Sequence, residues 1–107
     1  MRTGACPRIS VIIPTCNRAR LLGKAVDSVL SQSLSDVELI VVDDGSTDLT
    51  PRLLDGYGDK LRVIRRENRG PAAARNTGIR VSSSPFLAFL DSDDWFVPEK
   101  LAIQLAA

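Results

Sequence analysis

The sequence predicts an α/β fold, a Rossmann-like open parallel sheet with helices on both faces. Three observations lead there. Short, mostly apolar, β-branched segments alternate with segments whose apolar residues recur at helical spacing. Apolar strands in βαβα order belong to a parallel sheet covered on both faces. Right-handed crossovers and short connections then favour an open sheet. The unusual polar residues, finally, fall directly after the strands, at the carboxyl edge where such sheets bind ligands.

The elements follow in order. Ile9-Ser10-Val11-Ile12-Ile13 is a β-branched strand that stops at Pro14. Asn17 is placed to cap a helix carrying apolar Leu21, Leu22, Ala25, Val26, Val29 and Leu30. Val37 to Val42 reads as a second buried strand and runs into Asp43-Asp44-Gly45. Ser46, Thr47 and Asp48 offer N-caps for a short helix through Leu53 and Leu54, where Pro51 fits only the first turn. Gly56-Tyr57-Gly58 breaks that helix, and Leu61 to Arg65 forms a third strand. Gly70-Pro71 opens a third helix, with Pro71 at its first position before Ala72, Ala73 and Ala74. Phe86 to Leu90 is a fourth strand, and Pro98 starts a last helix that runs to Ala107.

Composition removes several classes of function. At 107 residues the chain is one domain, and 44% hydrophobic with 25% charged residues is globular. At this size folding buries roughly two-thirds of the unfolded chain's surface, a thin but adequate core. Fourteen basic against thirteen acidic residues leave a charge of +1, so no global field draws the chain to nucleic acid or anionic lipid. With no histidine, imidazole bases and histidine zinc sites are excluded. Cys6 and Cys16 flank an extended strand that holds them too far apart for a disulfide, which reads as reduced thiols in a cytoplasmic protein. No signal-peptide core is present, and the longest apolar run, Phe86 to Leu90, is far below the ~18 residues a membrane span needs.

Four polar clusters carry the chemistry. Asp91-Ser92-Asp93-Asp94 follows a fully apolar strand, and three carboxylates so close repel one another unless a cation neutralises them. An Asp-x-Asp there offers hard oxygen ligands to Mg²⁺ or Mn²⁺, against the plainer reading of a solvated acidic turn. In Asp43-Asp44-Gly45-Ser46-Thr47-Asp48, Asp43 and Asp44 are equally readable as acceptors for a base or ribose and as turn formers. Ser46, Thr47 and Asp48 read better as caps. In Asn68-Arg69-Gly70-Pro71 with Arg75-Asn76, Arg75 lies about one turn into a helix and can reach a phosphate or base. Arg69 and Arg80 read as solvated. Pro14-Thr15-Cys16-Asn17-Arg18 can line a base or ribose pocket, or be a plain strand-to-helix turn. Trp95 and Phe96 could stack on a ligand but read first as core packing. A phosphate-cradling GxxxxGK[ST] loop is missing, so phosphate handling falls to a metal and arginine.

Together these segments resemble the nucleotide-binding half of the GT-A glycosyltransferases of family 2. Four matches carry the resemblance, from about Ile9 to the end of the chain: Ser10-Val11-Ile12-Ile13-Pro14-Thr15-x-Asn17-Arg18, Val41-Val42-Asp43-Asp44-Gly45-Ser46-Thr47-Asp48, Asn68-x-Gly70-x-x-x-Ala74-Arg75-Asn76-x-Gly78, and Phe89-Leu90-Asp91-Ser92-Asp93-Asp94. It implies sheet order 3-2-1-4 and a nucleotide-diphosphate-sugar donor. Pro14 and Thr15, with Asn17 and Arg18, would line the nucleoside pocket. Asp43 would hydrogen-bond the base with Asp44 beside it, and Arg75 would lie near base and phosphates. Asp93 would ligate Mg²⁺ or Mn²⁺, Asp91 would sit nearer the ribose while sharing the metal, and Asp94 would support the turn. The metal would stabilise the departing diphosphate as a Lewis acid. Cell-wall or polysaccharide biosynthesis is the implied setting.

The resemblance also sets an expectation about extent. Residues 9–107 would be a donor-binding domain incomplete at its C-terminus, after a tail at 1–8. The catalytic base would lie beyond Ala107, so none is assigned. Two other classes stay open, a non-catalytic nucleotide-binding module and a phosphohydrolase with Asp91 as nucleophile and Asp93 as acid. Against the second, Trp95 stands where Thr or Val is expected and no later Lys–Asp pair follows. The strand at Phe86 to Leu90 is apolar on both faces yet would be the sheet edge, which predicts a homodimer or larger assembly through it or the last helix.

Overall fold

The structure is a computed structural model and describes residues 7–34 and 36–106. Cys6 and most of the expected tail lie outside the described residues. The chain forms β1 (Ile9–Thr15), α1 (Ala19–Leu30), β2 (Val37–Asp44), α2 (Thr50–Asp55), a 3₁₀ turn (Gly58–Lys60), β3 (Arg62–Arg66), α3 (Pro71–Val81), β4 (Phe86–Phe89) and α4 (Lys100–Ala106). All strand pairs are parallel and the order is β3-β2-β1-β4, as expected.

The order follows from burial. All seven residues of β1 are buried, which its run of Ile and Val permits only at the centre of a covered sheet. Successive side chains alternate between faces. Val11 and Ile13 meet Leu22 and Val26 of α1, Leu54 of α2 and Leu101 of α4. Ile12 points the other way, to Ile40, Val42 and Ala74 of α3. Fully burying a side chain such as Ile12 contributes about 1.5–3 kcal/mol. α3 lies very close to the sheet, because a Cβ at Gly78 would stand only 2.5 Å from Cγ2 of Ile12. That close approach brings the first turns of α3 over the carboxyl end of β1.

Several local expectations change. Asn17 does not cap α1; the N-cap is Arg18, with no side-chain cap bond. Asn17 takes a left-handed backbone, φ 53°, a region Asn tolerates better than most residues. Its Oδ1 accepts from Thr47 N at 2.8 Å and Asp48 N at 3.2 Å, while Asn17 N donates to Ser46 Oγ at 2.9 Å. The loops after β1 and β2 are thus stitched together. Three separate amides reward that arrangement, where a cap would satisfy one. The N-cap of α2 is Leu49, not Ser46 or Thr47. Asp48 still serves helix starts, its Oδ1 accepting from Thr50 N at 2.9 Å and its Oδ2 from Ala19 N at 3.3 Å. Thr50, whose amide donates to Asp48 Oδ1, holds the Asp48 carboxyl below its ordinary pKa.

Leu21 and Leu30 are exposed, so the buried stripe of α1 is Leu22, Ala25, Val26 and Val29. β4 is an edge strand with Phe86, Leu87 and Phe89 all exposed. Among the described residues, no helix is long and apolar enough to cross a membrane.

Tyr57 ties the chain after α2 to α1, its hydroxyl donating to Asp27 Oδ1 at 2.8 Å. Burial first, then that bond and the charge of Asp27, push its pKa up to about 12. A phenol raised above its unfolded value of about 10 favours the fold while protonated. The contribution is therefore whole below pH ~10 and is lost as pH rises through the folded value. Because Tyr57 is the chain's single tyrosine, absorbance at high pH should show one late phenol titration, and Tyr57→Phe should flatten the alkaline fall in stability.

Candidate functional site

The carboxyl edge of the sheet opens into a cleft of about 320 Å³. One wall is the end of β1 with its loop: Pro14, Thr15, Cys16 and Arg18. The opposite wall is the start of α3, with Pro71, Ala74 and Arg75. Asp91, Ser92 and Asp93 close one side, and Asp44 forms part of the back. Of the residues expected at the site, Pro14, Thr15, Arg18, Asp44, Arg75, Asp91 and Asp93 are brought together here. Asn17 and Asp43 do not line the cleft.

Each part is held by an identifiable cause. Thr15 is the last residue of a buried central strand, and its Oγ1 is enclosed without a hydrogen-bond partner. A buried orphan hydroxyl costs about 1–3 kcal/mol, and Thr50 Oγ1, away from the cleft, is unpartnered in the same way. The acidic turn is anchored upstream, Leu90 N donating to Ile12 O at 3.1 Å, and folds on itself through Asp94 N to Asp91 O at 3.1 Å. Arg75 Nη2 stands 3.7 Å from Asp91 Oδ1, with both side chains substantially exposed. Such a pair contributes only ~0–1 kcal/mol, so little holds Arg75 to Asp91.

Asp43 and Asp44 have different surroundings. Asp43 accepts from Ser46 N at 3.0 Å, shaping the turn after β2, and its Oδ2 is 4.0 Å from Arg65 Nε. Asp44 is 4% exposed, and both oxygens take backbone amides at the start of α3. Arg69 N donates at 3.0 Å and Gly70 N at 2.9 Å. Arg66 Nε is 3.6 Å away, and its Nη1 reaches Ala73 O and the Thr77 hydroxyl. Asp44 is therefore the anchor of α3 and so places Arg75. Gly45, φ 80°, makes this possible, since a Cβ there would lie 2.9 Å from Asn68 N.

The remaining candidates sort simply. Arg69 pairs with Glu67 at 3.4 Å in solvent, and Arg80 only reaches Thr77 on its own helix. Phe96 packs against the core, whereas Trp95 is exposed beneath Lys24, whose Nζ is 3.6 Å from the ring centre. Asp94 Oδ1 accepts from Trp95 N at 2.8 Å, which supports the turn, while Asp91 is held only by its loose pair with Arg75. Pro71, Ala74 and Ser92 line the cleft without having been singled out. The signal for the first two was the run of small residues that lets α3 approach. Cys16 is a free thiol whose Sγ accepts from Asn68 Nδ2 at 3.4 Å.

The donor set fits a hard divalent ion in part. Asp91 and Asp93 supply carboxylate oxygens of the kind Mg²⁺ and Mn²⁺ prefer. Among the described residues, no three His, Cys, Asp or Glu side chains converge to hold a metal ion by themselves. An ion here would need further oxygens from a ligand in the cleft.

Comparison with known proteins agrees with this geometry. The sequence pattern of Glycosyl transferase family 2 matches residues 10–107. An uncharacterized glycosyltransferase of Rickettsia felis is 43% identical over 100 residues, covering 92% of this chain and 17% of that protein. The crystal structure of S. aureus TarS 1-349 in complex with UDP superposes with a TM-score of 0.86 at 33% identity, covering 92% of this chain and 31% of that 1-349 chain. A mannosyltransferase of Pyrobaculum calidifontis, in complex with GDP-Man and Mn²⁺, superposes with a TM-score of 0.78 at 31% identity, covering 87% and 29%. The chain spans well under half the length of curated relatives such as that of Rickettsia felis, and 41% of one from Haemophilus influenzae. With the GT-A sheet order, the carboxyl-edge cleft and a family match over nearly its whole length, the chain belongs to glycosyl transferase family 2.

Proposed function

We propose that this chain is the donor-binding part of a metal-dependent glycosyltransferase that moves a sugar from a nucleotide-diphosphate-sugar to an acceptor. The observation that carries the reading is the meeting, in one cleft, of the orphan Thr15 hydroxyl, the loose Arg75–Asp91 pair and the carboxylate of Asp93. The neighbours in complex with UDP and with GDP-Man and Mn²⁺ support it. Pro14 and Thr15 would bear on the nucleoside, with Asn17 and Arg18 at the rim. Asp43, buried behind the cleft wall, would bear on the base through the turn it shapes after β2, and Asp44 acts from behind through α3. Arg75 would turn from Asp91 to the diphosphate. Asp93, with Asp91, would hold Mg²⁺ or Mn²⁺, and the ion would offset charge building on the departing diphosphate. The free Cys16 thiol suits a reducing, cytoplasmic setting. Cell-wall or polysaccharide synthesis stays within the reading, and the exposed β4 edge is its site for self-association.

With only two protein carboxylates, metal and nucleotide should bind as a coupled pair. Calorimetry should show UDP binding that tightens markedly when Mn²⁺ replaces EDTA, while Mn²⁺ alone binds weakly. UDP affinity indifferent to Mn²⁺ would remove the metal from the reading. Sedimentation at high concentration checks the association, and a clean monomer rules it out. A non-catalytic nucleotide-binding module is favoured by one observation: no cleft carboxylate outside the Asp91–Asp93 pair is free to act as a base. Transfer from a UDP-sugar to simple acceptors by this chain excludes that alternative.

A further inference from the structure

The acidic turn is fastened downstream as firmly as upstream, and the fastening comes from α1. Lys24 and Ser28 on α1, and Gln32 just beyond its end, lie four residues apart along one face. They meet successive residues of the segment after the acidic turn. Lys24 Nζ sits over the Trp95 ring at 3.6 Å. Ser28 Oγ accepts from Phe96 N at 3.0 Å. Gln32 Nε2 donates to Val97 O at 2.7 Å, and its Oε1 accepts from Leu101 N at 3.0 Å. Gln32 is a polar side chain only 9% exposed, and Ser33 N adds a bond to Pro98 O at 2.9 Å.

A buried carboxamide satisfied on both its donor and acceptor sides fixes what it touches, because either bond lost leaves a buried group unpaired. α1 in turn is locked to β1 through Leu22, Ala25, Val26 and Val29. The Asp91–Asp94 turn is thus held between two points of one rigid frame, Leu90 on β1 and Trp95 to Val97 on α1.

We propose that Gln32 is a positioning residue for the metal-binding carboxylates. It acts through Val97 and Leu101 to keep Asp91 and Asp93 aimed into the cleft. The proposal rests on the donor-site reading above. Loss of groups that orient a metal's ligands commonly costs about 10–100-fold in metal affinity.

The test uses Gln32→Met, which keeps the length and removes both polar sides. Trp95 is the chain's single tryptophan and reports the segment directly. Gln32→Met should leave UDP affinity in EDTA within about twofold of the parent chain and cut the Mn²⁺-dependent gain about tenfold. Acrylamide quenching of Trp95, measured without metal or nucleotide, should rise. A merely structural role would lower UDP affinity equally with and without Mn²⁺, and that result, or an undiminished gain, overturns the proposal. If Gln32→Met does not fold, Ser28→Ala removes only the acceptor of Phe96 N and carries the same readouts. A parent chain that binds UDP with no Mn²⁺ gain removes the metal from the donor-site reading and overturns the metal part of the proposal with it. The quenching then decides the clamp alone, an increase supporting it and no change overturning it.

Discussion

Asp93→Ala should lower UDP affinity in Mn²⁺ by about two orders of magnitude, because a bound divalent ion supplies several kcal/mol of charge stabilisation at a diphosphate. Affinity in EDTA should stay near that of the parent chain, since Asp93 makes no hydrogen bond that the fold depends on. Asp94→Asn is the matched control. Its Oδ1 bond to Trp95 N survives in the amide, so metal-supported binding should fall only slightly. Calorimetry on both variants, with thermal melts to show an unchanged fold, decides the matter. Equal affinity of Asp93→Ala and the parent chain in Mn²⁺ would move the ion elsewhere or remove it.

Asp44→Ala should cost stability more than it costs ligand contact. The change removes the acceptor of two backbone amides and leaves the largely buried Arg66 guanidinium without its carboxylate. Breaking such an arrangement from one side costs about 3 kcal/mol. For a domain of this size that lowers the melting temperature by about 12 °C or more. Asp44→Asn, which keeps one acceptor oxygen, should fall between. UDP affinity of Asp44→Ala should drop only as far as α3 loosens, and saturating ligand should restore part of it. Unchanged melting together with abolished UDP binding would make Asp44 a direct ligand contact instead.

These two aspartates show what pattern reading reaches and where it stops. Strand and helix alternation is a local property, so the elements, the parallel sheet and the placement of the polar clusters at one edge were legible. The carboxylate pair that lines the cleft was legible for the same reason, because a carboxylate cluster after an apolar strand lies within a few residues of chain. The division of labour between Asp43 and Asp44 was not. The partner of Asp44 Oδ2, Gly70 N, lies 26 residues away, and no spacing rule connects them. Gln32 reads as an ordinary polar residue at a helix end, bonded to Ser28 O one turn back, yet its other partners are 65 and 69 residues distant. Asn17 misled because residues that cap helices also tolerate left-handed backbone. Which use prevails depends on the neighbouring loop, here Thr47 and Asp48.

The two faces of the sheet are unequally upholstered. The α1 side carries the broad buried cluster that includes Leu22, Val26, Leu54 and Leu101, whereas α3 rests on Ile12, Ile40, Val42 and its own Ala74. Segments with few buried apolar contacts open at lower free energy than the rest of a domain. The cleft therefore has a stiff jaw and a compliant one. The carboxylates Asp91 and Asp93 hang from the stiff side, through β1 and α1, and Arg75 rides on the side that yields. Amide exchange along α3, faster than along α1, reads that asymmetry directly.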